Sequence, residues 1–255
     1  MKTQQTLEGR NGFDSYRKTA ITVGVVYLLG MVVGIGGNGL VQSILGAPDH
    51  LSIVTANSLL LAGGLMLMLL AGVGDAAHGI LMFPILKRRG ERLALSYLGF
   101  RIVDAAFVGL WVLFLLLQIP LGREYLKAGG ADPSYLQALS AVSVQASQYA
   151  YEIAMMFVGV AGVTLGYVLY TARLVPRFVA VWGLVGYAIH LGGSVLEVLG
   201  FGLNLMHVIP GGLWELFIGV WLITKGFSSS PVLWQRPTSS SLARRASPEV
   251  VSAAT

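Results

Sequence analysis

Long apolar stretches recur along the chain, separated by short polar segments. Each is about 20 residues or longer, enough to cross the hydrocarbon core of a bilayer as an α-helix. The stretches run over residues 20–45, 56–86, 93–119, 146–171, 178–202 and 208–226. The pattern predicts an all-α integral membrane bundle of about six transmembrane helices within residues 20–226, because helices satisfy every backbone hydrogen bond inside lipid.

Composition agrees with a protein that has lipid as its solvent. Hydrophobic residues make up 55% of the chain and charged residues 11%, and the mean hydropathy is +0.72. The absence of cysteine excludes disulfides, thiolate metal sites and thiol catalysis. The first apolar stretch lacks a short hydrophobic region followed by a cleavage site, so we interpret it as a retained span.

Basic residues are concentrated on one side of the predicted membrane. Fourteen of the seventeen Lys and Arg residues lie in four segments of the chain. These segments are the N-terminus before the first stretch, the connection between the second and third stretches, the connection between the fourth and fifth, and the C-terminal end of the sixth with the residues after it. The other side has only Arg123 and Lys127, and Arg101 lies within a span. The positive-inside rule therefore places both termini in the cytoplasm. Nothing in the sequence resembles a nucleic-acid-binding motif, so the net charge of +5 reflects topology.

The two ends of the chain differ from the apolar middle. Residues 1–19 form a predicted cytoplasmic N-terminal segment, and residues 227–255 are rich in Ser, Pro and Arg. The latter have too few apolar side chains to offset the entropy of ordering, which predicts a disordered basic tail. Before the fourth stretch, Asp132 as N-cap and Pro133 at the first helical position predict a helix that begins outside the bilayer.

Ionisable residues inside the predicted spans are the candidates for function, because a charge within a bilayer is costly. Asp75 and Asp104 each lie twelve residues from the basic cluster between the second and third spans, or about 18 Å deep at 1.5 Å per residue. His78 shares a helix face with Asp75, and Arg101 shares one with Asp104. The predicted ligand- or ion-binding layer consists of Arg101, Asp104, His190, Glu215, Asp75 and His78.

A second polar group lies farther from the basic side. Ser194 and Glu197 follow His190 by four and seven residues and so continue its helix face. We interpret this group as an outer polar path that leads toward the middle layer. Its members are Asn38, Gln148, Glu152, Ser194 and Glu197.

Three functions remain open on these residues. The favoured one is a bundle that binds a proton, an ion or a small molecule, with transport as one use of such binding, in which protonation of His190 or a carboxylate alters the pairing of Arg101. Transport lacks one sequence hallmark, since the two halves of the chain show no internal repeat. A structural ion pair in an accessory subunit or homo-oligomer is the second interpretation.

The third interpretation is a metal-dependent intramembrane hydrolase that acts on a lipid-like substrate. Imidazole and carboxylate groups could ligate a metal that activates water. The chain has no HExxH or GxSxG motif, and Arg101 would compete with a cation for the carboxylates. No cofactor is therefore predicted. The alternative metal ligands are Asp75, His78, Asp104, His190 and Glu215.

Four segments resemble a bacterial family of multi-pass membrane proteins, domain of unknown function 4386. They are PILKRRGERLALSYLGFRIVDA, DPSYLQAL, ARLVPRFVAVWGLVGY and LWELFIGVWLITKGF, and RKTAITVGVVYLLG is similar to the start of the family. The resemblance implies one multi-helix unit in the bacterial cytoplasmic membrane and brings no reaction, ligand or partner. Arg101, Asp104 and Glu215 fall within the matching segments, whereas Asp75 and His78 do not, which makes the first three the better candidates for a family-wide role.

Overall fold

The described part of the chain is helical throughout. A computed structural model describes residues 2–128 and 134–228, with side chains from residue 16 onward. Within these ranges there is no β-strand, and the all-α prediction is confirmed. The helices are α1 (Lys2–Leu45), α2 (His50–Val54), α3 (Ser58–Lys87), α4 (Glu91–Leu116), α5 (Gln118–Lys127), α6 (Ser134–Thr171), α7 (Arg177–Val198) and α8 (Ile209–Thr224), with a 3-10 turn at Asn204–His207 before α8.

Five segments are long and apolar enough to cross a membrane, and α8 is a shorter sixth apolar helix. The five are Tyr16–Leu45, Ser58–Lys87, Glu91–Lys127, Ser134–Thr171 and Arg177–Val198. The predicted membrane bundle of about six helices is confirmed on this basis. Helix α6 begins before the fourth apolar stretch, as expected, although Asp132 and Pro133 lie outside the described residues. Most of the predicted tail, from residue 229 onward, also lies outside them.

The six long helices pack as a closed ring. Each neighbour in the order α1, α3, α4, α6, α7, α8 contacts the next, and α8 contacts α1. Short connections between α3 and α4 and between α6 and α7 make these pairs antiparallel neighbours, as expected for a helical bundle. The short helices α2 and α5 contact each other at the beginning of α6 and cover one end of the ring.

The lipid-facing surface of the bundle is apolar. Large hydrophobic side chains are exposed on every long helix, which would be unfavourable in water and is normal in a bilayer. Examples are Val32, Leu59, Leu113, Val142, Phe178 and Leu216. The interior is also largely hydrophobic, and the polar side chains described below lie within it.

Glycine allows α6 and α7 to approach closely. A Cβ at Gly162 would overlap the ring of Tyr187, and a Cβ at Gly166 would lie 2.9 Å from a side-chain atom of Leu184. Small residues at a helix interface have this effect in membrane bundles. A Cβ added at Gly30 of α1, by contrast, would have no neighbouring atom within 4 Å. The contact between α1 and α3 is therefore loose at that depth, where the cavity described below lies.

Several basic residues lie together at one end of the ring. Arg17 donates hydrogen bonds to the last carbonyls of α8, including Ile223 O at 2.8 Å. The guanidinium of Arg88 lies 4.7 Å from the centre of the Tyr16 ring. The backbone N–H of Ser228 donates to Leu174 O at 2.7 Å, which brings the α6–α7 connection to the same end.

Candidate functional site

Arg101 is the only cation at the centre of the site in the described residues, and it is 4% exposed. Its stem packs on Gly79 of α3, where an added Cβ would lie 3.0 Å from the Cβ of Arg101. The guanidinium forms an ion pair with the carboxylate of Asp75, and its Nε donates to the backbone carbonyl of Asp75 at 3.3 Å. These contacts join α4 to α3, the two helices in which Asp75 and Asp104 were predicted to lie at the same depth.

Asp104 also faces Arg101, but less closely. One carboxylate oxygen lies 3.5 Å from a guanidinium nitrogen, and the residue is completely buried. Among the described residues, neither of its oxygens accepts a hydrogen bond. Buried carboxylates are normally satisfied by several hydrogen bonds. Asp104 therefore depends on Arg101 for its stabilisation, while Arg101 is shared with Asp75.

His78 is held in place by two tyrosines. Its Nδ1 and the hydroxyl of Tyr97 form a hydrogen bond of 2.6 Å, and the ring of Tyr27 lies 4.2 Å from its own. The histidine is 1% exposed, and its Nε2 has no hydrogen-bond partner in the described part of the structure. Tyr97 precedes Arg101 by four residues, so helical spacing alone could have placed it at the site.

Glu215 enters the site from α8. The hydroxyl of Tyr187 donates a hydrogen bond to Oε1 of Glu215, which links α7 to α8. The adjacent Trp214 donates from Nε1 to Val179 O at 2.7 Å, and this bond fixes α8 on α7. Glu215 lines the same cavity as Arg101 and Asp75. The site thus combines side chains from α1, α3, α4, α7 and α8.

A cavity of about 140 Å³ lies among these groups, between α1 and α3. Its polar lining residues are Tyr27, Asp75, His78, Arg101 and Glu215. Asp75 is accessible from the cavity, since its side chain is 34% exposed. The volume is smaller than the roughly 300–1,000 Å³ of pockets for drug-sized ligands. It is large enough for several waters or one hydrated small ion.

The charges in this site do not balance. One guanidinium pairs with the carboxyl groups of Asp75 and Asp104, and the carboxyl group of Glu215 lines the same cavity. If all three were ionised, the site would carry two negative charges in excess, at a depth where unpaired charge is costly. Bound protons or a small cation would remove that excess, so the arrangement can act as a cation- or proton-binding centre.

A second polar cluster lies farther along α7. The Nε2 of His207 is 3.2 Å from the hydroxyl of Ser194 and 3.5 Å from a carboxylate oxygen of Glu152. The rings of His190 and His207 are 5.8 Å apart and perpendicular. His190 therefore lies in this cluster, beside His207, and does not contact Arg101 through any described bond. Sequence depth alone had grouped His190 with the Arg101 layer.

The remaining residues of the predicted outer path are spread out. Gln148 is exposed on the surface of α6, and Asn38 is half-buried on α1. Glu197 is half-buried on α7, close enough for its charge to act on Glu152. Of the predicted path, the structure thus brings together Glu152, Ser194 and Glu197. Their additional partner is His207, which the sequence pattern had left in the segment between two spans.

Tyr187 lies next to both clusters. Its hydroxyl donates to Glu215, and its ring centre is 6.1 Å from that of His190. Tyr187 precedes His190 by three residues and so shares its helix face, a signal that charged residues alone do not give. This residue separates the cavity beside Arg101 from the histidine cluster.

The five side chains considered as metal ligands are divided between these clusters. Asp75, His78, Asp104 and Glu215 surround the Arg101 site, and His190 lies beside His207. In residues 2–128 and 134–228, no three His, Asp or Glu side chains are arranged to hold one metal ion. The guanidinium of Arg101 occupies the position between two of the carboxylates.

Comparison with known families identifies the chain. The profile of domain of unknown function DUF4386 matches residues 22–226. The chain belongs to this family. The match covers nearly all of the membrane-crossing region and confirms the resemblance of the sequence segments. DUF4386 membership establishes a membrane bundle without assigning it an activity. Neither a curated protein nor a solved structure gives a significant match.

Proposed function

We propose that this DUF4386 protein binds a proton or a small cation in the cavity beside Arg101. The observation that carries the proposal is that one buried guanidinium pairs with two carboxyl groups and shares its cavity with a third, that of Glu215. A site that served only to hold helices together would need one carboxylate for one cation. The additional carboxyl groups supply oxygen atoms, which suit hard cations and protons.

Access to the cavity supports a binding role. Asp75 is partly exposed, and the cavity is lined on the α1 side by Gly30 and on the α3 side by Gly74, neither of which has a side chain to close it. An ion that entered there would meet the oxygen atoms of Asp75 and Glu215 before it reached Arg101. Binding would then compete with the ion pair between Arg101 and Asp75. A proton or ion that displaces Arg101 from Asp75 could change the packing of α3 against α4. Transport requires such a coupling between binding and conformation.

The experiment described below can also support either of two other interpretations. A metal-dependent hydrolase would contain a tightly bound transition metal, and an accessory subunit would use the buried charges only for packing. No described contact favours either one. A lipid bilayer is the environment in all three cases, and a second copy or another membrane protein is compatible with each.

Thermal unfolding of the purified protein in lipid nanodiscs tests the proposal. We would titrate sodium, potassium, magnesium and calcium at several pH values and compare the wild type with Asp75→Asn. A ligand that binds only the folded protein adds about 2.7 kcal/mol to the free energy of unfolding at 100 times its Kd. We expect one cation, or acidification alone, to stabilise the wild type and to have less effect on Asp75→Asn.

Glu124→Gln is the matched control, because Glu124 is exposed and pairs only with Lys127 at 2.8 Å. It should respond as the wild type does. Equal responses of the wild type, Asp75→Asn and Glu124→Gln to every cation and pH would contradict the proposal. A stoichiometric transition metal in the purified protein would favour the hydrolase instead.

We also propose that both termini face the cytoplasm of a bacterial cell. Support comes from the concentration of basic residues and from the contacts that place Arg17, Arg88 and the end of α8 at one end of the ring. The chain has no cysteine, so single cysteines can be introduced without a background. A membrane-impermeant thiol reagent should label Lys127→Cys in intact cells and Arg89→Cys only after permeabilisation. The reverse pattern would invert the topology.

A further inference from the structure

His207 is buried although it lies in a short 3-10 turn between two membrane helices. The residue is 4% exposed, and its ring lies directly on the backbone of α7 at Gly193. A Cβ at Gly193 would overlap the side chain of His207. The neighbouring Gly192 has no atom within 4 Å of the equivalent position. The glycine at 193 thus makes room for this imidazole on the surface of α7.

The partners of His207 are oxygen atoms. Its Nε2 lies 3.2 Å from Ser194 Oγ and 3.5 Å from Glu152 Oε2. The other ring nitrogen of His207 and both ring nitrogens of His190 are buried without a hydrogen-bond partner in the described structure. Buried nitrogen and oxygen atoms are rarely left unpaired. Three such nitrogen atoms lie together in this cluster.

Other ionisable side chains lie around His207. The titratable groups that face it are Glu152 from α6 and His190 from α7, and Glu197 of α7 lies near Glu152. Helix α8 also contacts the turn, but its one titratable side chain, Glu215, is bonded to Tyr187. An imidazolium at His207 would form an ion pair with the carboxylate of Glu152, which lies 3.5 Å from its Nε2.

We propose that Glu152 and His207 form a second proton-binding site, with Ser194 and His190 as its polar surroundings. The proton binds to the free ring nitrogen of His207, and the resulting imidazolium is held by the carboxylate of Glu152. The site is separate from the cavity beside Arg101 and does not depend on a ligand there. Tyr187 lies between the two, in contact with His190 and Glu215.

Nitrogen-15 NMR of the full chain in nanodiscs, labelled at histidine, tests this proposal. The chain has four histidines, and single His→Gln variants assign their signals. Over about pH 5 to 8, the range in which histidine charges change, the wild type should show an imidazolium signal for His207. Glu152→Gln should lose that signal, because the imidazolium no longer has a carboxylate partner. Glu152→Asp, which retains a carboxylate, should recover part of it.

Two variants separate this site from the rest of the protein. Glu124→Gln, the same change at an exposed position, should keep the imidazolium signal. Asp75→Asn, which removes a carboxylate from the Arg101 cavity, should also keep the imidazolium signal. The proposal for the cavity and the proposal for His207 can therefore fail separately. A neutral His207 at every pH in the wild type would overturn the inference, as would an imidazolium that survives unchanged in Glu152→Gln.

Discussion

The buried pair of Arg101 and Asp104 gives a quantitative prediction. Arg101 has a second partner in Asp75, whereas Asp104 has no described hydrogen bond and only one cation near it. Arg101→Leu should therefore destabilise the bundle strongly, because it leaves both Asp75 and Asp104 without a cation in the interior. Asp104→Leu should cost much less, since Arg101 keeps its ion pair with Asp75.

The separation of the charges sets the magnitude. At 3.5 Å and an effective dielectric constant of about 20, Coulomb's law gives an attraction of about 5 kcal/mol. Loss of one member of a buried pair typically costs about 3–5 kcal/mol. We therefore expect Arg101→Leu to lower the free energy of unfolding by about 3–5 kcal/mol. Asp104→Leu added to Arg101→Leu should recover only part of that loss, because Asp75 remains without its guanidinium partner.

The assay is reversible unfolding of the four proteins in mixed micelles, followed by circular dichroism. The cycle should give a coupling energy of about 1–3 kcal/mol between the two residues. If Arg101→Leu does not fold, Arg101→Lys keeps a charge and still measures the sign of the effect. A coupling energy below about 0.5 kcal/mol, the usual error of additivity, would refute the view that Asp104 depends on Arg101.

Three further predictions concern packing outside the cavity, and unfolding measurements test each of them. Gly193→Ala should destabilise the protein by about 1–3 kcal/mol, because the new methyl group overlaps His207. Gly192→Ala should be neutral or slightly stabilising, because its methyl group has no neighbouring atom within 4 Å. Equal effects of the two variants would contradict the packing argument. Ser140→Ala should cost about 1–3 kcal/mol, since the hydroxyl of Ser140 donates to the buried amide of Gln118 at 2.6 Å, and a loss near zero would show that the bond is not formed. Arg17→Ala should cost about 1 kcal/mol through loss of its bonds to the last turn of α8, and the loss should shrink in high salt.

Hydrophobic pattern and helix length were sufficient to predict the architecture. Apolar stretches of about 20 residues can cross lipid only as helices here, so an all-α bundle of about six spans followed from the sequence. The short helix α2 and the division between α4 and α5 were not predicted, because they lie at the end of the ring where apolar patterning no longer constrains the chain. The backward extension of α6 to Ser134 was anticipated from helix-start signals.

Depth along each helix predicted part of the site, but rotation about the helix axis could not be derived from one sequence. Asp75 and Asp104 were assigned the same depth, and both face Arg101 in the structure. His190 was assigned that depth too, yet its side chain points toward His207. Its direction is decided by the packing of α7 against the 3-10 turn, which involves Gly193 and a residue outside the apolar stretches.

The tyrosines of the site were not predicted, because they carry no charge to mark them within an apolar span. Tyr97 forms a hydrogen bond with His78 and Tyr187 with Glu215, and the ring of Tyr27 packs at a tilt against that of His78. A buried tyrosine hydroxyl needs a polar partner, so an aromatic residue one helical turn from a buried charge is a usable signal. The surroundings of each ionisable group are as informative as the group itself.

Infrared pH-difference spectroscopy in nanodiscs tests the central claim, that the cavity beside Arg101 takes up a proton or a small cation. Protonated carboxyl groups have a separate C=O band, so the spectrum reports the charge state of the cluster directly. We expect a carboxyl band that grows on acidification and is reduced by the cation that stabilises the protein. The band should be diminished in Asp75→Asn and in Glu215→Gln, and it should be retained in Glu124→Gln. A spectrum without such a band, or one identical in the wild type and both cavity variants, would contradict the account and leave a structural ion pair.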